Sequence, residues 1–325
     1  MRGLVVGLGS IGRRHLANLR TLLPDADLWA LRRTGADAPV PAVKVVSTLE
    51  AALEARPQFA ILASPSPFHV AEALVLAEAG VHLLIEKPIS DQREGLSRLI
   101  ELCHNRSLVL MTGYNLRFAP SLQALREALP RIGRVLSVRA EVGQYLPDWR
   151  PGSDYLRGVT ARPELGGGVV LELSHEFDYL RWLLGEVASV CAVTGTRGDL
   201  GLAVEDLAEV LLTFESGAIG SVHLDLLQRA PTRTCRVVGT EGTLEWDGLR
   251  RGLRLFTQGG WTELLRPEAA PADRNRIYLE ELSHFLTCIE TGAAPRVTGE
   301  DGLRALEIAL AVKASQGTTI KLGVP

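Results

Sequence analysis

The chain has little that would tie it to a special environment. Its four cysteines, Cys103, Cys191, Cys235 and Cys288, lie far apart and form no Cys-x-x-Cys pair. In apolar settings such as "SVCAV" and "FLTCI" they read as small core residues. A charge of one sign is lacking too. Lys+Arg number 35 against 38 Asp+Glu, a net charge of −3, so no basic bias points to nucleic acid or an anionic membrane. No apolar run reaches membrane-spanning length. No tandem repeat or low-complexity tract is visible. The N-terminal "MRGLVVGLGSIG" enters a strand–turn pattern without an h-region and cleavage site. No signal peptide is therefore expected, and a reducing cytoplasm is the expected compartment.

What is present fits a soluble globular protein with an ample core: 325 residues, 46% hydrophobic and 22% charged. That length favours two domains. From residue 3 to residue 112 the apolar runs "GLVVG", "DLWAL", "VKVV", "FAILA", "VHLLIE" and "LVLMTG" alternate with amphipathic segments such as "TLEAALEARP". That alternation predicts α/β architecture, a parallel sheet with helices on both faces.

The first run ends in "GLGSIGRRH". Gly7, Gly9 and Gly12 give G-x-G-x-x-G around Ser10 and Ile11, and a helical pattern follows. The glycines serve a tight turn, room for a pyrophosphate, and close helix–strand packing. The helix start then offers free N–H groups and a positive dipole end to phosphates. A dinucleotide is the expected ligand.

The ribose-binding acid expected about 20 residues on is missing. The end of the second run reads "WALRR", with Arg32 and Arg33 where a carboxylate would stand. A guanidinium fork suits a 2′-phosphate, so NADP is favoured over NAD. The fourth run leads into "ASPSPFHVAEAL", where Ser64 and Pro65 close the strand. His69 falls in the first turn of the next helix, as either a structural cap or a cofactor-side contact. The fifth run, "GVHLLIEKPIS", passes straight into Glu86, Lys87 and Pro88. Proline restricts Lys87 to extended backbone and so fixes where its side chain leaves the strand.

With "GYNLRF", "GGGVVLELSHEFDYLRWLLG" and "YLEELSHFLTCIETGAAPRVTGEDGLRALEIALAVKAS", these motifs resemble the Gfo/Idh/MocA family of NAD(P)-dependent oxidoreductases over nearly the whole chain. The resemblance implies a Rossmann domain, residues 1–118. It also implies a substrate-binding and oligomerisation α/β domain, residues 119–325, with a large, mostly antiparallel open sheet. The helix near 299–316 is expected to pack back on the first domain. Turn signals such as ESG, GTEGT and DG between runs from Val187 onward independently favour an antiparallel meander. The open sheet face implies a homodimer or homotetramer.

The resemblance further implies that Lys87 is a catalytic lysine whose ammonium stabilises negative charge on the reacting oxygen. Glu86 then positions it or the cofactor amide, and the Lys87–Pro88 peptide is cis. His175 is the second catalytic candidate, since an imidazole titrating near neutrality suits removal of a hydroxyl proton. At helical spacing Glu172, His175 and Asp178 share one face. The family's carboxylate four residues before this histidine is absent, because that position is Leu171. Glu172 replaces it, or the role is lost. One such face does not make a metal site, and no metal is expected. Further substrate contacts are expected from Tyr114 and Arg117, and from Tyr145, Trp149, Arg150, Asp154 and Tyr155 in a polar, aromatic loop.

The expected activity is hydride transfer between nicotinamide and a hydroxyl or keto carbon of a sugar, polyol or nucleotide-linked sugar. The alternatives are an NAD-dependent glycoside hydrolase on the same scaffold and a non-catalytic cofactor- or sugar-binding protein.

Overall fold

The structure, a computed structural model, describes residues 1–33, 43–268 and 275–323. Apolar runs without alternation need cover on both faces, and all six expected runs form parallel strands. The order along the chain is β1 (Arg2–Val6), α1 (Ser10–Leu22), β2 (Asp27–Leu31), β3 (Lys44–Val46), α2 (Leu49–Glu54) and β4 (Phe59–Leu62). It continues with α3 (His69–Glu78), β5 (His82–Glu86), α4 (Leu96–Asn105) and β6 (Leu110–Gly113). Across the sheet the order is β3-β2-β1-β4-β5-β6. β4 is buried along its whole length, as are the last four residues of β1 and of β5. The order reverses between β1 and β4, and in such sheets ligands bind beyond the carboxyl ends at that point.

After α5 (Pro120–Ala128) and β7 (Val135–Gly143) come two helices, α6 (Val169–Glu172) and α7 (His175–Leu184). Then follow β8 (Val187–Gly195), β9 (Leu207–Phe214), β10 (Ile219–Asp225), β11 (Thr232–Gly239), β12 (Thr243–Asp247), β13 (Gly252–Thr257) and β14 (Gly260–Leu265). With β15 (Thr319–Lys321) these make a nine-stranded sheet of order β14-β13-β12-β11-β7-β10-β9-β8-β15. It is antiparallel except where β7 runs parallel to β10. A plain meander is therefore broken at one place, because β7 separates β10 from β11. β9 alternates buried and exposed residues, the signature of a sheet covered on one face only. α5, α6 and α7 supply that cover, and Trp246 Nε1 donates to Ser121 Oγ at 3.0 Å to tie β12 to α5.

Two compact units result. The first is discontinuous, residues 1–115 with 275–303, and the second comprises 116–274 and 304–325. The expected boundary at 118 thus misses a returning segment. It contains α8 (Asn275–Thr291), which packs on α1. Asn18 and Asn275 exchange amide hydrogen bonds, Arg14 lies over the Tyr278 ring at 4.7 Å, and Phe285 meets Phe59 edge-on. The apolar stripe of α8 needs burial, and nothing in linear order shows where it will find it. The helix expected near 299–316 is α9 (Gly299–Ser315). Its residues through Leu303 group with the first unit and the rest with the second. Among the described residues no helix is long and apolar enough to cross a membrane.

Candidate active site

In the first unit the glycine loop is shaped by backbone. Gly7 has φ +94°, and a Cβ there would press on the Ala63 carbonyl and Ser64 nitrogen. A Cβ at Gly12 would run into the Gly7 carbonyl oxygen, so Gly12 permits the close approach of α1 to the loop. Gly9 differs. Its φ is −68° and a Cβ there would meet nothing within 4 Å. The fold does not need glycine at this position; a group approaching the loop would. Gly9 caps α1 without a side-chain hydrogen bond, and the first turn, which includes Ser10 and Ile11, has no acidic residue. The helix start therefore keeps N–H donors and positive dipole for an anion. These features fit a dinucleotide pyrophosphate.

Beside this loop, at the end of β2, Arg33 Nη1 donates to Glu72 Oε1 at 2.5 Å. The Ser64 hydroxyl donates to Glu72 Oε2 at 2.6 Å. Glu72 is buried on α3, whereas the Arg33 side chain is 47% exposed. A carboxylate therefore stands in this corner after all, contributed by α3. Arg32 is half-buried, and its backbone N–H bonds the Val46 carbonyl. His69 is buried between two strand-end loops, with Nε2 2.7 Å from the Ser64 carbonyl and Nδ1 3.2 Å from that of Pro88. Burial pulls its pKa down, opposed by the bond to Ser64 and by the charges of Glu72 and Glu86. Its ring holds the loop of Ser64 and Pro65 to that of Pro88.

Lys87 follows the last residue of β5 and is joined to Pro88 by a cis peptide bond. Glu86, the last residue of β5, is buried. Its Oε1 lies 2.6 Å from Nε2 of the fully buried His15 on α1, and Oε2 lies 3.3 Å from the Lys87 backbone nitrogen. Gly113 on β6 leaves room for this carboxylate, since a Cβ there would sit 3.2 Å from Oε2. His15, Glu72 and Glu281 were not foreseen as site residues. Their signal was a charged or polar residue on the inward stripe of an amphipathic helix. Tyr114, expected as a substrate contact, is fully buried.

In the second unit His175 opens α7 and is half-buried. Glu172 belongs to α6, and Leu173 and Ser174 interrupt the helix between them. The single helical face expected for Glu172, His175 and Asp178 is thus not formed. Val169, Val170 and Leu171 are buried consecutively. Glu172 accepts from the Thr160 hydroxyl at 3.0 Å. Asp178 is buried against Arg117 in a two-pronged pair, Nε to Oδ2 at 3.0 Å and Nη2 to Oδ1 at 2.6 Å. Their side chains are 1% and 3% exposed, so each meets the charge of the other.

The aromatic loop is built of short 3-10 turns pinned by the residues expected to touch substrate. Trp149 Nε1 donates to the Gln144 carbonyl, and Tyr155 donates to that of Leu200. Asp154 accepts from the Leu156 N–H, and Arg229 stacks over the Tyr145 ring at 3.5 Å. Arg150 is exposed. Among the described residues no group of three or more His, Cys, Asp or Glu side chains is placed to hold a metal ion.

Residues 1–114 match the model of an oxidoreductase family's NAD-binding Rossmann fold, and residues 126–322 match that family's C-terminal alpha/beta domain. Myo-inositol 2-dehydrogenase of Thermotoga maritima is 30% identical over 97% of this chain and 96% of its own. UDP-N-acetylglucosamine 3-dehydrogenase of Acidithiobacillus ferrooxidans is 26% identical, over 96% of both chains. The fold is also that of a levoglucosan dehydrogenase solved in complex with NADH, with a TM-score of 0.85, 20% identity and 99% coverage of each chain. The chain belongs to the Gfo/Idh/MocA oxidoreductase family.

Proposed function

We propose that the protein is an NAD(P)-dependent dehydrogenase acting on a hydroxyl or keto carbon of a sugar, polyol or nucleotide-linked sugar. The observation that carries this reading is Lys87, set at the carboxyl end of β5 in the unit that also holds the glycine loop. Gly7, Gly9 and Gly12, with the start of α1, would hold the pyrophosphate, and the loop of Ser64 and Pro65 would flank the cofactor. Nicotinamide supplies the hydride donor or acceptor when bound.

The protein's own work concerns the substrate oxygen. Lys87 donates a hydrogen bond to it and stabilises the negative charge that grows as the carbinol is oxidised. His175 takes the hydroxyl proton, and returns it in the reverse direction. Glu86 holds the strand end from which Lys87 departs. Arg32 and Arg33 give a preference for NADP(H), kept modest by Glu72. The exposed Val193, Leu211 and Ile219 lie on the uncovered side of the sheet and support a homo-oligomer; the compartment of this reading is the cytoplasm.

The test is to titrate NADH and NADPH, then screen inositols, sugars and sugar nucleotides for hydride transfer. With the substrate found, K87M should still bind cofactor but lose at least about a hundredfold in kcat. Full turnover by K87M would refute the reading.

A further inference from the structure

Behind the Lys87 backbone lies a group of buried polar side chains that the proposed chemistry does not use. Glu281 of α8 is 0% exposed, and neither of its carboxyl oxygens has a hydrogen-bond partner among the described residues. His15 Nδ1, also buried, lacks one as well, while His15 Nε2 is held by Glu86. A buried acid with no partner is costly and rare, and two orphaned polar groups around one carboxylate call for an explanation.

We propose that Glu281 is a positioning residue that acts through Glu86: it fixes the charge and orientation of the carboxylate behind Lys87, and cofactor binding is coupled to its proton. All members of the group lie in the first unit. α1 contributes His15 and Arg14, the end of β5 contributes Glu86 and Lys87, α3 contributes His69, and α8 contributes Tyr278 and Glu281. Burial raises the Glu281 pKa well above the ordinary value, and the charge of Glu86 raises it further. Burial and then Glu86 also raise that of Tyr278. Two carboxyls that share one buried region cannot both ionise cheaply. A neutral Glu281 leaves the negative charge on Glu86, where the His15 ring and the Lys87 backbone hold it. An ionised Glu281 would repel Glu86 from both.

The connection to cofactor runs along α1. His15 lies about 7.5 Å along the axis from Ser10, at roughly 1.5 Å per residue. A pyrophosphate at the start of α1 adds negative charge near the cluster. Linkage then requires the neutral acid to be favoured when a dinucleotide binds, so binding takes up a proton wherever Glu281 is partly ionised.

The experiment titrates NADH into the full-length protein from about pH 6 to about pH 9. Calorimetry in two buffers of different ionisation enthalpy counts the protons. The wild type should take up a growing fraction of one proton per NADH as pH rises, and its affinity should fall about tenfold across the range. E281Q, neutral at every pH, should show no linked uptake and less than about a twofold fall. A merely structural Glu281 would leave both pH signatures intact in E281Q, which would overturn the proposal, as would a wild type without uptake. If E281Q does not fold, E281M takes its place, and the wild-type count needs no variant. The proposal rests on the dinucleotide reading of the glycine loop. Failure of NADH to bind at any pH overturns that reading and this one together. The kcat of K87M tests the catalytic role of Lys87 separately, because E281Q keeps that lysine.

Discussion

Arg33, at the end of β2, donates to Glu72, a buried acid 39 residues further along the chain. The contact changes what the missing acid in "WALRR" means for cofactor choice. The guanidinium can still meet a 2′-phosphate, but part of its charge is offset by a partner that Ser64 also holds. Replacing Glu72 by Gln should release that charge and shift the NADPH-to-NADH affinity ratio toward NADPH by about three- to tenfold. R33A should shift it the other way. Fluorescence titration with both cofactors measures the ratio. An equal change for both cofactors in E72Q would show that this pair does not read the 2′ position.

The glycines of the loop should separate into two kinds. Gly9 has an ordinary φ and open space where a Cβ would go, so G9A should fold with an unchanged Tm. Its methyl group would occupy room meant for the pyrophosphate, and NADH affinity should fall about tenfold or more. Gly12 is packed against the Gly7 carbonyl, so G12A should lower Tm before any question of cofactor arises. Thermal scans with and without NADH distinguish the two. A G9A protein that binds NADH like wild type would remove Gly9 from the site.

These contrasts mark what was legible in the sequence. The six apolar runs and the glycine loop could be read because each depends on a short stretch whose period or spacing carries a physical meaning, whereas the role expected of Lys87 came from the family resemblance and not from its own stretch. β7 was passed over. Its run "VLSVRAEVG" follows a helix rather than another strand, and its parallel pairing with β10 reaches more than 80 residues away. Pairs such as His15–Glu86 and Arg117–Asp178 join residues 71 and 61 apart, so the charges of Glu86, Arg117 and Asp178 looked available for ligands. The break between Glu172 and His175 carries no Pro or Gly. No breaker residue marks it, so nothing in the linear sequence shows that the helix is interrupted at Leu173 and Ser174.

The Arg117–Asp178 pair makes a prediction about stability rather than ligand binding. Both side chains are almost wholly buried and joined by two hydrogen bonds. Removing one partner strands the other charge inside the protein, at a cost of about 3–5 kcal/mol. D178A and R117A should each be destabilised by that amount in urea unfolding. The double variant should be less destabilised than the sum of the two, because no lone charge remains. Strict additivity would show that the two charges do not depend on each other.

His223 on β10 gives a pH dependence with a defined sign. Its Nδ1 lies 2.6 Å from Glu209 Oε1 on the neighbouring strand, and its Nε2 lies 2.9 Å from Asp225 Oδ2. Burial alone would pull its pKa down, but hydrogen bonds and charge from Glu209 and Asp225 outweigh it, and the pKa is raised. A histidine with a raised folded pKa stabilises the fold fully below its unfolded value, near about 6.5. That contribution fades as pH rises through the folded value and the ring loses its charge. H223Q should therefore be less stable than wild type by up to about 1 kcal/mol near pH 5.5, since Glu209 is largely exposed and screened by solvent. By about pH 9 the difference should be gone. Urea midpoints for the two proteins at both pH values decide it, and a difference that grows toward alkaline pH would mean the imidazole is held neutral.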